Sequence, residues 1–151
     1  MQAAWFAVLN TVFMAWWCPA TLRVRLLRLF GATVGKRVLI RHRVRVKWPW
    51  KLTIGDDVWI GEGAWLINSE SVTIEDDVCL SQEAFICDSS HDPSDPAFEL
   101  LQSPIRLCQG SWVASRAMVL RGVTVGPGAV VGAGAVIRKN YGAPGRSAPV
   151  D

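Results

Sequence analysis

The stretch IGDDVWIGEGAWLINSES, residues 54–71, consists of three six-residue units that each begin with an aliphatic residue. The same period runs through most of the chain, and the first position of a unit is Val, Ile or Leu throughout. An α-helix would rotate successive first positions by about 600° and scatter them around its axis. The period therefore favours short strands. The units outside the quoted stretch read VGKRVL, IRHRVR, VKWPWK, IEDDVC, LSQEAF, ICDSSH, LCQGSW, VASRAM, VLRGVT, VGPGAV, VGAGAV and IRKNYG.

The units are grouped in threes, and this grouping predicts the architecture. Units that start at residues 34, 40 and 46 are followed by one at 54, and those at 54, 60 and 66 by one at 74, so a group is twenty residues long. Three strands that return to their starting direction form one triangular coil of a parallel β-helix. The aliphatic first residues stack inside the coils, and the small fifth residues fit near the corners. Glycine is frequent at the second position, where we expect tight corners with positive φ.

One insertion interrupts the spacing, and it contains His91. The unit that begins at Ile86 is followed only at Leu107, so fifteen extra residues leave the solenoid at a corner. Inserted backbone at a corner lies outside the stacked core, and functional residues concentrate in such loops. We therefore predict an inserted loop over residues 91–106, with His91 at its base. His42, the other histidine, occupies a regular outward position and is predicted to be a surface residue.

Residues 1–33 precede the repeats and are predicted to be helical. The apolar run before Cys18 lacks basic residues ahead of it, which argues against a signal peptide, and it is shorter than the ~20 residues of a membrane span. Leu22, Leu26 and Leu29 follow one another at helical spacing, with arginines elsewhere on the helix. Two roles stay open for this segment: it caps the first coil, or it contacts an anionic membrane surface.

Composition restricts the class of protein. The 151 residues suit one globular domain, and the formal net charge of +3 does not indicate a nucleic-acid-binding protein. The four cysteines form no Cys-x-x-Cys pair, and two histidines cannot supply a zinc site, so no metal is expected. Reduced cysteines indicate the cytoplasm, with a peripheral membrane contact left open.

The sequence resembles the left-handed parallel β-helix acyltransferases with hexapeptide repeats, and within them the group called "putative colanic acid biosynthesis acetyltransferases". The resemblance covers nearly the whole chain. It rests on LRLFGATVGKRV, on WPW at residues 48–50, on SQEAFICDSSHDPSDPAF and on VTVGPGAVVGAGAV. It implies an all-β fold: a left-handed parallel β-helix of about five triangular coils, with an N-terminal helical segment, repeats over 34–142 and a tail over 143–151.

The resemblance also implies acetyl transfer from acetyl-CoA to a sugar hydroxyl in exopolysaccharide or other cell-surface glycan biosynthesis. Imidazole suits a general base, so His91 is assigned that role, with direct transfer and no acyl-enzyme on Cys87. The group that orients His91 stays open among Asp88, Asp92, Asp95, Glu99 and a backbone carbonyl. The acceptor is assigned to Asn68, in the bulge at the end of the second coil, and to Asp92. An asparagine at that place is equally suited to a turn, so a structural role for Asn68 stays open.

The family arrangement implies a homotrimer in which acetyl-CoA lies between two subunits. By matching positions, it assigns Trp112, Ser115, Ala133 and Lys139 to acetyl-CoA, and Arg146 in the shortened C-terminal segment is a further candidate. The alternative function is a non-catalytic β-helix that drives trimerisation or binds a partner.

Overall fold

In the computed structural model, which describes residues 1–142, the repeats form a left-handed parallel β-helix of five coils. Each coil contributes one strand to each of three five-stranded parallel sheets, here called faces A, B and C. The β-helix predicted from the period of six is confirmed. Arg146 and the rest of 143–151 lie outside the described residues.

The strands of the three faces follow the six-residue units. Face A contains β1 (Thr33–Val34), β4 (Leu52–Ile54), β7 (Val72–Ile74), β12 (Ile105–Leu107) and β15 (Thr124–Val125). Face B contains β2 (Leu39–Ile40), β5 (Trp59–Ile60), β8 (Cys79–Leu80), β13 (Trp112–Val113) and β16 (Val130–Val131). Face C contains β3 (Arg45–Val46), β6 (Trp65–Ile67), β9 (Phe85–Cys87), β14 (Met118–Leu120) and β17 (Val136–Ile137).

The strand register agrees with the prediction, because the first residues of successive units pair with one another. On face A, Val34 pairs with Ile54, Ile54 with Ile74, Ile74 with Leu107 and Leu107 with Val125. These side chains point into the prism, and those of Ile54, Ile74 and Leu107 are at most 1% exposed. Fifth-position residues such as Ala64 and Ala84 are fully buried as well. Stacking of like residues removes apolar surface from water at every coil, which stabilises the solenoid.

Glycine has a different role from the one expected at the second position. Positive φ occurs at the fourth position of the units, in non-glycine residues such as Asp57 and Arg116 as well as in Gly128 and Gly134. At second-position Gly55, whose φ is not positive, an added Cβ would lie 2.2 Å from Asp76 Oδ1 and 2.7 Å from Asp76 N. The next coil therefore approaches too closely for any side chain.

Residues 1–33 form the N-terminal cap, which covers the first coil. It comprises α1 (Gln2–Val8), a π-helical turn (Leu9–Phe13) and α2 (Ala20–Leu29), and a 3₁₀ turn (Pro49–Lys51) follows β3. Trp5 is fully buried and donates a hydrogen bond from Nε1 to Val46 O at 2.9 Å. Helix α2 packs on β1 and β2.

The inward face of α2 is not the leucine stripe seen in the sequence. Val24 and Leu27 are buried, whereas Leu29 is 78% exposed. Arg23 is also buried and donates to Phe13 O, Ala15 O and Ile40 O. Burial lowers the pKa of its guanidinium, but these carbonyl acceptors compensate by satisfying the donors. None of the helices formed by the described residues is long and apolar enough to cross a membrane.

Candidate active site

The insertion forms an antiparallel hairpin at the corner between faces C and A. Its strands are β10 (Ser89–His91) and β11 (Leu100–Gln102). Much of the predicted loop is therefore a pair of strands joined by a short tip. His91 pairs with Leu100 at the outer end of this ladder rather than at the base of the insertion. The side chain of His91 is therefore carried away from the core into solvent.

A buried carboxylate attaches the hairpin to the solenoid. Asp88 is fully buried and accepts hydrogen bonds from Ser69 N at 2.8 Å and Glu70 N at 2.7 Å in the coil below. Burial raises the pKa of Asp88, although the two N–H donors oppose this shift. Asp88 O also accepts from Ser103 N, at the point where the hairpin returns. The carboxylate thus holds the stem and does not reach the His91 ring.

The His91 ring is oriented by a backbone carbonyl. Its Nδ1 lies 2.7 Å from Phe98 O, and its ring stacks on that of Phe98 with a centroid distance of 4.2 Å and an interplanar angle of 5°. A carbonyl can only accept, so in the neutral imidazole Nδ1 carries the proton and Nε2 keeps a free lone pair. Phe98 itself has φ 50°, an unusual value for a bulky residue, and this turn directs its carbonyl at the imidazole. Of the five orienting groups left open by the sequence, the structure selects the carbonyl.

Two aspartates build the hairpin tip that presents Phe98. Asp95 Oδ1 accepts from Ala97 N at 2.9 Å, and Asp95 O accepts from Phe98 N. Asp92 Oδ1 accepts from the backbone N and the hydroxyl of Ser94. These bonds from Ser94 hold the pKa of Asp92 below its usual range, so its carboxylate stays ionised beside His91.

Asn68, the other residue assigned to the acceptor, has a structural role. It is fully buried, and its side-chain amide accepts from Trp48 N at 3.0 Å and donates to Trp48 O at 2.6 Å. This pair of bonds connects the first two coils at their corner. The side chain therefore has no surface to offer to a ligand in this chain.

A groove of about 710 Å³ follows the corner between faces B and C. Ser115 and Ala133, two of the residues assigned to acetyl-CoA, lie on its wall. Ser115 donates to Gln82 Oε1 at 3.2 Å, and Arg116 pairs with Glu83 at 2.6 Å, so the same wall is polar and charged. The sequence contains no signal for Gln82 and Glu83 as partners, because they lie in the coil below.

The other two residues assigned to acetyl-CoA lie outside this groove. Trp112 is 46% exposed on face B, and its Nε1 donates to Ser81 Oγ at 2.7 Å. Lys139 is exposed and follows β17, near the corner between faces C and A. The groove and the His91 hairpin therefore occupy different corners of the chain, with face C between them.

His42 lies on the surface, as predicted, with its Nε2 3.1 Å from Glu62 Oε1. All four cysteines are free, and burial raises the pKa of Cys79 and Cys108. Among residues 1–142, no three His, Cys, Asp or Glu side chains are grouped so as to hold a metal ion.

A triangular solenoid of six-residue repeats that carries a histidine hairpin and a long lateral groove belongs to the hexapeptide-repeat class of proteins. The family model described as "Bacterial transferase hexapeptide (six repeats)" matches residues 104–139. The chain is 40% identical over 139 residues to the "Putative colanic acid biosynthesis acetyltransferase WcaF" of Escherichia coli, with 90% of this chain and 75% of that protein covered. The chain therefore belongs to the hexapeptide-repeat acetyltransferase family, as the resemblance implied.

Solved structures show the same fold. A hexapeptide-repeat acetyltransferase of Vibrio cholerae superimposes with a TM-score of 0.84 at 19% identity, covering 93% of this chain and 80% of that one. A complex of that protein with acetyl coenzyme A superimposes with a TM-score of 0.75 at 22% identity, covering 80% and 68%. A galactoside acetyltransferase in complex with coenzyme A gives 0.82 at 21% identity, covering 93% and 72%.

Proposed function

We propose that this protein is an O-acetyltransferase that moves an acetyl group from acetyl-CoA to a sugar hydroxyl in exopolysaccharide or other cell-surface glycan biosynthesis. The observation that carries the proposal is the 2.7 Å contact between His91 Nδ1 and Phe98 O, because it leaves Nε2 as a free base on an exposed hairpin. Acetyltransferase relatives support the reaction class, and the family member with 40% identity is named for colanic acid biosynthesis.

The reaction needs a base because a hydroxyl is a weak nucleophile at neutral pH. In the proposed step, Nε2 of His91 removes the hydroxyl proton while the oxygen attacks the thioester carbonyl carbon. The C–O bond forms, the C–S bond breaks, and the imidazolium returns the proton to the departing thiolate. The acetyl group passes directly to the sugar, so Cys87 needs no nucleophilic role.

Acetyl-CoA supplies the activated acyl group, and the groove between faces B and C fits its long, flexible arm. Small residues such as Ala133 allow close approach, the Ser115 hydroxyl can bond to an amide, and Trp112 offers an indole face beside the groove. Lys139 is an exposed cation suited to a phosphate. Asp92, ionised and next to His91, is the proposed acceptor contact on the sugar side.

A site that uses both the groove and His91 requires a second copy of the chain, because the two lie at different corners. We propose the trimer typical of the family. Its support is the outward surface of faces B and C, where large apolar side chains such as Trp59, Trp65 and Met118 are exposed by 38 to 40%. The outward positions of face A instead carry threonines and an arginine (Thr33, Thr53, Thr73, Arg106 and Thr124).

Replacement of His91 tests the catalytic proposal. We expect His91→Ala to lower kcat/KM for acetyl transfer by about 10²- to 10⁴-fold, since the general base is removed. His42→Ala is the matched control, because it removes the other histidine from a surface ion pair. Equal activity of the two variants, within a few-fold of the wild type, would show that His91 is not the base.

Acetyl-CoA binding tests the other half of the proposal and separates it from the non-catalytic alternative. Isothermal titration calorimetry of the wild type should detect acetyl-CoA, and His91→Ala should bind it with similar affinity because His91 lies outside the groove. Absence of binding to the wild type would favour a trimerisation or interaction module.

Radiolabelled transfer to a panel of nucleotide sugars, lipid-linked units and polymers, followed by NMR of the ester, identifies the acceptor. A cytoplasmic site of action is part of the same proposal.

A further inference from the structure

The outer surface of the N-terminal cap is unusually apolar. The first charged residue of the chain is Arg23, so residues 1–22 carry no side-chain charge. Trp16 is 81% exposed and Trp17 is 55% exposed, in the turn that joins the π-helical segment to α2. Phe6 on α1 is 48% exposed. Indole rings at such exposure are unusual on a surface that faces only water, and they are typical of the boundary between water and lipid.

Helix α2 presents a second apolar face on its outer side. Val24 and Leu27 pack inward, whereas Leu22 and Leu26 are only partly buried and Leu29 is 78% exposed. At 100° per residue, the three leucines lie on one side of the helix. Leu26 still packs in part against the core, so the stripe is only partly covered and Leu29 is its exposed end. Exposed Arg25 lies on the same outer side of the helix.

The charges of the chain are divided along its length. All thirteen acidic residues follow position 55, while ten of the sixteen Lys and Arg precede it. The cap and the first coil therefore carry a formal charge of +10, and the remainder, with six cations and thirteen acids, carries −7. In the described part of the chain, the side-chain cations of Arg25, Lys36 and Arg41 have no carboxylate within 4 Å. Three other cations pair with carboxylates of the second coil: Arg37 with Asp57, Arg43 with Glu62 and Lys51 with Glu70. The cap end is thus a cationic pole with an apolar tip.

We infer that the outer surface of the cap docks on an anionic phospholipid membrane, with Trp16, Trp17 and Leu29 inserted at the interface and the arginines at the headgroups. The charge distribution favours this occupant. Anionic headgroups complement the excess of cations at this end, which the carboxylates Asp57, Glu62 and Glu70 of the second coil pair only in part. Two weak signals, apolar insertion and positive charge, together give reversible peripheral binding.

Vesicle co-sedimentation tests this inference. Wild-type protein is expected to pellet with phosphatidylcholine vesicles that contain about one-third phosphatidylglycerol, and to stay in solution with phosphatidylcholine alone or in about 0.5 M NaCl. Trp16→Ser/Trp17→Ser and Arg25→Glu should each lower the partition coefficient by about tenfold or more. Trp16→Phe/Trp17→Phe should retain most of the binding, since an aromatic ring is kept.

Arg138→Glu is the matched control, because it makes the same charge change at an exposed position after the last strand of face C. Its vesicle binding should stay within about twofold of that of the wild type if binding depends on the cations of the cap and not on the net charge of the protein. Binding that is equal for both vesicle types, or that falls equally in Arg25→Glu and Arg138→Glu, would overturn the inference. The same holds if Trp16→Ser/Trp17→Ser changes the oligomeric state without changing vesicle binding, since the patch would then be a protein contact. Transfer to a water-soluble acceptor should be unchanged in all four variants, which separates this test from that of the catalytic function.

Discussion

Glycine occurs at two positions of the six-residue unit for two different physical reasons. At Gly128, in the fourth position, φ is +64° and nothing lies within 4 Å of an added Cβ. At Gly55, in the second position, φ is ordinary but the backbone and side chain of Asp76 in the next coil leave no space. The same residue type thus permits a left-handed turn in one place and close stacking of coils in the other.

Alanine substitutions distinguish these two causes. We expect Gly128→Ala to lower the free energy of unfolding by about 1 to 2 kcal/mol, the usual penalty for a left-handed non-glycine residue. Gly55→Ala should cost at least twice as much, because two coils must move apart. Chemical denaturation of both variants measures the difference. A similar loss in the two variants would mean that the coils adjust to the extra carbon without cost.

At the scale of the element, the hairpin depends on one carboxylate. Asp88 satisfies two backbone N–H groups of the coil below, and the hairpin in turn carries Phe98 and His91. The stem and the ring of His91, the proposed base, are therefore coupled through the hairpin backbone, although Asp88 makes no contact with the imidazole. In the proposed mechanism, a residue of this kind would position the base and take no part in the chemistry.

Removal of the carboxylate should affect the hairpin before the solenoid. In Asp88→Ala we expect faster amide hydrogen exchange over residues 89–102 and a loss of kcat of about tenfold or more, because the base is no longer held in place. The KM for acetyl-CoA should change little, since the groove lies at another corner. Glu99→Ala, which removes an exposed carboxylate of the same hairpin, is the control and should behave like the wild type. Unchanged exchange in Asp88→Ala would show that other contacts hold the hairpin.

At the scale of the whole molecule, the three faces of the solenoid differ in outward chemistry. The strands of face A expose mainly threonines, whereas faces B and C expose indole, thioether and aliphatic side chains. An apolar surface of this extent on two adjacent faces is typical of a contact between subunits. The proposed trimer would also bring a His91 hairpin of one copy to the groove of another.

Paired substitutions on two faces test this assembly. Met118→Glu on face C should convert the trimer to monomers in sedimentation experiments and abolish transfer, because a buried unpaired carboxylate is strongly unfavourable at an interface. Thr53→Glu, an equally outward position on face A, should leave both assembly and activity intact. If Met118→Glu remains trimeric and active, face C does not form the interface.

The sequence alone predicted the fold in detail because the solenoid is built from near-neighbour repetition. Each coil stacks on the one before it, so the period of six assigns every inward residue and the spacing of twenty assigns the register. The break in this spacing located the insertion, and His91 was singled out because it lies there. The expectation for the second-position glycines was wrong, because a period shows that a small residue is needed but not whether torsion or contact requires it.

Only the tertiary structure decided what lies between distant segments. A carbonyl has no side-chain signature, so the sequence could not choose Phe98 O over four carboxylates as the partner of His91. Nor could it show that the side-chain amide of Asn68 bonds to the backbone of Trp48, or that Leu29 at the end of α2 is exposed. These outcomes depend on where the hairpin and the cap come to lie against the coils, and that placement follows from packing in three dimensions, which a local repeat does not encode.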